Sequence, residues 1–183
     1  MKDTRDHIMS KLEVKQYDFQ DKHTDGVIKL LKSKLGFKEV QKSSVKDDLN
    51  KATDFVADGK YKIGCRLLNL ANKNIQLHNL TFRYRGHGTT TEMQKIHNLD
   101  YYIFVWMDNF EKKENAKPVH YIILDCRDNK LLNAINNPNT VKKDCINIKD
   151  GTKFYAIEPY YFRKITISTN LPPEFKKLRN INK

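Results

Sequence analysis

Glycine and proline are scarce in this 183-residue chain, with seven and five residues, which excludes collagen-like and low-complexity architectures. Cysteine is scarcer. Cys65, Cys126 and Cys145 are odd in number, widely spaced and never in a CxxC pair, which excludes a disulfide framework and a zinc site. Long apolar runs are missing too: none approaches the roughly 18 residues that span a bilayer. Met1 to Lys15 is charged and has no apolar core of the signal-peptide kind. These absences place the expected protein in a reducing cytoplasm, without a membrane partner. Catalytic patterns are missing as well. The six histidines have no HExxH or HxH spacing, and there is no Gly-x-Ser-x-Gly elbow, Cys–His dyad, Walker loop or dinucleotide fingerprint. Acyl-transfer hydrolases and nucleotide-cofactor enzymes therefore find no support.

What is present is positive charge. Lys and Arg number 34 against 22 acids, a formal +12 with a pI near 9.5. Cations that neutralise phosphates release condensed counterions, so such an excess suits a polyanionic partner. A lysine-, asparagine- and isoleucine-rich coding bias would give the same excess. Nine Tyr, nine Phe and one Trp argue against wholesale disorder. The length suits one compact domain.

Residues 1–22 read as a polar arm or short helix. Thr24 or Asp25 can N-cap a helix whose apolar face is Val27, Leu30, Leu31 and Leu35 and whose stop is Gly36. Strand signals follow at 37–45, at 52–57 with Asp54 inside, at 61–68 with Arg66 inside, and at 80–85. Asp58-Gly59 reads as a hairpin turn. Thr91 opens a short helix with Glu92 in its first turn. The apolar run 101–107 reads as a central strand buried on both faces, and 119–126 as its neighbour. A helix over 128–136 and short strands at 145–148, 154–157 and 165–167 follow, with a second turn at Asp150-Gly151 and a basic tail from Leu171. The expected fold is α/β, a mixed central sheet with helices packed on it.

The span 25–107 resembles the restriction-endonuclease-like (PD-(D/E)XK) nuclease superfamily, with a Holliday-junction-resolvase-like core. The order αβββαβ, the acidic opener Asp25, the helix-ending Gly36-Phe37, the strand aspartate Asp54, the turn Asp58-Gly59 and the strand Ile63-Gly64-Cys65-Arg66 carry the likeness. The family pattern has Glu or Asp where this chain has Gly64, and Lys where it has Arg66. Some members move the missing carboxylate to the following helix, and Glu92 is the candidate here. The resemblance implies an αβββαβ core over 23–126, with 127–183 a C-terminal strand and helix extension of the same compact domain. It implies Asp54, Glu92 and Asp25 as ligands of Mg²⁺ or Mn²⁺, with Arg66 and Lys95 as catalytic cations. Arg66 can clamp a phosphate but cannot be a general base. Such a protein would be a metal-dependent endonuclease, encoded by a phage or mobile element, acting on DNA ahead of RNA, and a homodimer.

One further segment suits phosphate contact. Arg83 and Arg85, expected on one strand face, precede His87 and Thr90 in a Gly-x-Gly turn at a helix start. The pairs Tyr101-Tyr102 and Tyr160-Tyr161 could stack bases, though packing is the simpler role. The alternatives are a nuclease fold that has lost its site and only binds nucleic acid, and a small factor that binds or inhibits another protein. An ion pair of Arg66 with Asp54 on the adjacent strand is the structural reading of that strand.

Overall fold

The computed structural model describes residues 11–44, 53–70, 79–85, 91–108, 117–148 and 151–172. His87, Thr90, Asp150 and the basic tail from residue 173 lie outside them. The first element is a long helix, α1 (Lys11–Leu35). It begins well before Thr24, so Asp25 is not an N-cap but an exposed mid-helix residue. The C-terminal stop is where the sequence puts it: Gly36 takes φ +71, a left-handed conformation that costs glycine little.

Three antiparallel strands follow, β1 (Val40–Lys42), β2 (Phe55–Ala57) and β3 (Tyr61–Asn69). Asp54 stands just before β2, and its N–H still joins the ladder through Ile63 O at 2.9 Å. Asp58 and Gly59 turn the hairpin with φ 48 and 68. The Asp58 carboxylate fixes the turn by accepting the N–H groups of Lys38 and Glu39 at 3.0 and 2.9 Å.

The chain then leaves the sheet. Strand β4 (Leu80–Arg85) joins a second sheet. A short helix, α2 (Glu92–Lys95), and a 3-10 turn (Ile96–Asn98) lead back to β5 (Tyr101–Met107), which pairs parallel to β3. Next come β6 (Pro118–Asp125), α3 (Lys130–Asn136), β7 (Lys143–Ile146), β8 (Lys153–Ile157) and β9 (Thr166–Thr169). The large sheet runs β1-β2-β3-β5-β6-β9 and the small one β4-β8-β7. Residues after 126 thus finish both sheets: β9 extends the large one, and β7 and β8 build the small one around β4.

Strand β5 explains the layering. All seven of its residues are buried. Successive side chains point to opposite faces. Tyr101, Ile103, Val105 and Met107 pack with Val27 and Leu31 of α1, while Tyr102, Phe104 and Trp106 pack with Leu80 and Phe82 of β4, Leu131 and Ile135 of α3, and Phe162. A strand covered on both faces reads as a continuous apolar run, as this one does. No helix among the described residues is long and apolar enough to cross a membrane.

The two-faced core sets a testable contrast. Phe104 is fully buried and Ile148 is 98% exposed. Phe104→Ala should lower unfolding stability by about 3–5 kcal/mol in urea melts, and Ile148→Ala by no more than about 0.5 kcal/mol.

Candidate functional site

Gly64 lies directly opposite Tyr102 in the parallel pair of β3 and β5. With no side chain at 64, the tyrosine ring folds over the glycine, a cross-strand cover that sheets use for exposed glycine backbone. A Cβ at Gly64 would lie 2.7 Å from Leu99 Cδ1 and 2.9 Å from Tyr102 Cδ2, closer than real Cβ contacts allow. Leu99 and Tyr102 are both 3% exposed, so neither can easily move. The position at which the resemblance implies an acid is thus filled by packed apolar atoms.

Two residues on, Arg66 points into the layer between the sheets. Its Nη1 donates to Thr81 O at 2.7 Å and Thr81 Oγ1 at 2.8 Å, and its Nη2 donates to Glu92 Oε2 at 2.7 Å. The ion pair is largely shielded, with the Arg66 and Glu92 side chains 22% and 10% exposed. Glu92 Oε2 also accepts the Arg83 N–H at 2.9 Å, and Glu92 Oε1 accepts the Tyr102 hydroxyl. The partner of Arg66 in this pair is Glu92, on α2, where the sequence reading offered Asp54. Helix α2 is positioned for this by Thr91, whose N–H donates to the Gln94 side chain at 2.7 Å, one arm of a capping box.

Asp54 approaches β3 from the other side of the ladder. Its Oδ2 accepts the Cys65 N–H at 2.6 Å. Desolvation by burial is the main reason that the Cys65 thiol is pushed well up, with the Asp54 charge adding to it. Lys95 ends α2, half-buried.

A divalent ion needs a set of hard, available oxygen ligands. Here both oxygens of Glu92 are bonded, its charge is matched by a guanidinium, and position 64 admits no carboxylate. Asp25 is exposed on α1. No group of three or more His, Cys, Asp or Glu among the described residues could hold a metal. The arrangement does not fit Mg²⁺ or Mn²⁺. It can hold two β-layers together through the contacts of Arg66 with Thr81 and Glu92.

Arg83 and Arg85 are both exposed, but they do not share a face. The β4–β8 register slips after Arg83, so Arg83 opposes Phe154 while Arg85 opposes Lys153. Those two successive residues of β8 point to opposite sides. A bulge of this kind re-aims side chains and is invisible to a period-two pattern. Tyr101 and Tyr102 are core residues, 7% and 3% exposed, and Tyr160 and Tyr161 pack edge to face at 5.8 Å.

Sequence reasoning missed a second charged cluster. Asp125, at the end of β6, holds Arg127 (Nε at 2.9 Å) and Lys130 (Nζ at 2.7 Å). The Arg127 hydrogen bond, aided by Lys130, holds the Asp125 carboxyl well below the usual carboxylate range. Arg127 and Lys130 edge an open polar cleft of about 750 Å³, lined also by Lys60, Lys62 and His97. Asp128 and Asn129 beside it are left-handed, φ 56 and 57.

Two predictions follow the charges. Removing one member of a shielded ion pair strands the other, so Glu92→Ala should cost about 3 kcal/mol in chemical denaturation, while the double change Arg66→Met with Glu92→Leu should recover most of it. Asp125 has a depressed folded pKa, so its contribution is complete above the unfolded carboxyl value of about 4 and is lost as pH falls below it. The wild type should therefore exceed Asp125→Asn in stability at pH 7 by about 2 kcal/mol, with the gap closing in acid-titrated thermal melts.

Neither a protein-family model, nor a curated protein, nor a solved structure matches this chain.

Proposed function

We propose that this chain binds nucleic acid, DNA ahead of RNA, on a restriction-endonuclease-like core that no longer cleaves. The carrying observation is the filled position at Gly64, where a Cβ would meet Leu99 and Tyr102 within 3 Å. The element order supports the core: a helix, three strands as an antiparallel meander, and a crossover ending in a strand parallel to the third. Among its described residues, the crossover carries the extra strand β4 and one short turn of α-helix. In the pattern that the chain resembles, the third strand supplies an acid and a lysine. Here the same strand supplies a packed glycine and an arginine tied to Glu92 and Thr81. The packed glycine and the paired arginine support a binding role over a cleaving one, and the +12 charge suits phosphates as the partner.

The test is incubation with labelled DNA and RNA, with Mg²⁺, Mn²⁺ or chelator, beside an equilibrium binding titration. The expected result is binding whose affinity falls steeply with salt, and intact substrate under every metal condition. Metal-dependent cleavage lost in Asp54→Asn would overturn the binding-only reading in favour of a metal-dependent endonuclease. Absence of binding at low salt would overturn nucleic acid as the partner and leave a protein-interaction factor.

A further inference from the structure

The small sheet carries an aromatic and cationic cluster that the core does not use. Tyr84 of β4 and Tyr155 of β8 stack with ring centroids 4.2 Å apart and planes 19° apart. Lys142 lies over the Tyr155 ring at 5.0 Å. Both tyrosines are only half-buried. Asp144 of β7 lies opposite Tyr155 in the sheet register, so the third strand flanks the stack.

The bulge in β4 builds this cluster. By the β4–β8 pairing, Leu80 and Phe82 face the core together with Ile157 and Tyr155. Continued alternation would put Tyr84 on that face and Arg85 on the other. The slip leaves Arg85 opposite Lys153, one residue pair away from Tyr155 along the same side of β8. Two tyrosines and two cations therefore share the end of a face whose other end is core. Over β4, β7, β8 and Lys142, the cations are Arg83, Arg85, Lys142, Lys143 and Lys153, and the one acid is Asp144.

We infer that this end of the β4–β8–β7 sheet is a platform for single-stranded DNA, with a base stacked on the Tyr84–Tyr155 pair and phosphates held by Arg85 and Lys153. This deepens the proposed function and rests on it. The choice of single strands comes from the stack. A planar ring already stacked on a second ring offers its outer face to another π-face, and every base has one. Bases within a duplex are stacked on each other and offer only edges in the grooves. Flanking cations meet a backbone that runs beside the stacked base, and cation–π contacts of the Lys142 kind accompany such surfaces.

The experiment compares oligo(dT), oligo(U) and a DNA duplex against wild type, Tyr84→Ala, Tyr84→Leu and the double variant Arg85→Ala with Lys153→Ala, each across a salt series. Wild type should bind oligo(dT) more tightly than duplex. Tyr84→Ala should weaken oligo(dT) binding about 5- to 150-fold with its salt slope unchanged, the range that one lost base stack gives. Tyr84→Leu keeps apolar bulk but no ring, and should show the same loss; it carries the test where the alanine variant does not fold. The double charge variant should lower the magnitude of the log–log salt slope by about 1.4, two phosphate contacts on a single strand. Wild-type DNA binding that all the variants retain would overturn the platform and leave the DNA-binding reading standing. Tighter binding of oligo(U) than oligo(dT) would overturn the DNA assignment. Absence of wild-type binding to any of the three would overturn the platform together with the function it rests on.

Discussion

A charge enclosed between two β-layers must find partners there, and Arg66 finds them on two elements outside its own strand. From β3 in the large sheet, its guanidinium reaches Thr81 on β4 in the small sheet and Glu92 on α2. Glu92 in turn holds the backbone of β4 through the Arg83 N–H and the hydroxyl of Tyr102 on β5. Four elements thus meet at one ion pair. Among its described residues, the crossover from β3 to β5 has little helix, four residues and a 3-10 turn. Its geometry is held by this network and by Ile96 and Leu99 beneath it. An isolated charge at this depth would cost several kcal/mol, so the partners are a condition of the fold.

The same network decides what the site can do. Here guanidinium and carboxylate touch directly at 2.7 Å. Tyr102 does two things at once: its ring covers Gly64 and its hydroxyl occupies Glu92. Giving Gly64 a carboxylate would therefore displace the ring and also disturb the pair that orients α2.

Much of the fold was legible. The stop at Gly36, the Asp58-Gly59 turn, the strand Leu80–Arg85 and the doubly buried strand β5 all follow from period, propensity and turn chemistry. The start of α1 was not, because residues 11–22 lack the apolar periodicity that marks a helix face. The departure of β4 to a second sheet was illegible too: a half-buried alternating strand looks the same in either sheet. At the site, Asp54, Arg66 and Glu92 were legible as residues with unusual neighbours. Their pairing was not, since Arg66 and Glu92 are 26 residues apart and only the crossover brings them together. The shared face expected for Arg83 and Arg85 failed at the bulge after Arg83, and Tyr84 and Tyr155 gained their meaning from that slip.

The proposal that the packed Gly64 and the Arg66–Glu92 pair leave no seat for a divalent metal is tested most directly by a thermal melt of the wild type with chelator, Mg²⁺ and Mn²⁺. A ligand that binds the folded state raises the melting temperature, by an amount that grows logarithmically with ligand concentration above its dissociation constant. The account predicts coincident melts at millimolar metal. A rise with Mg²⁺ or Mn²⁺ that both Asp54→Asn and Glu92→Gln abolish would contradict it.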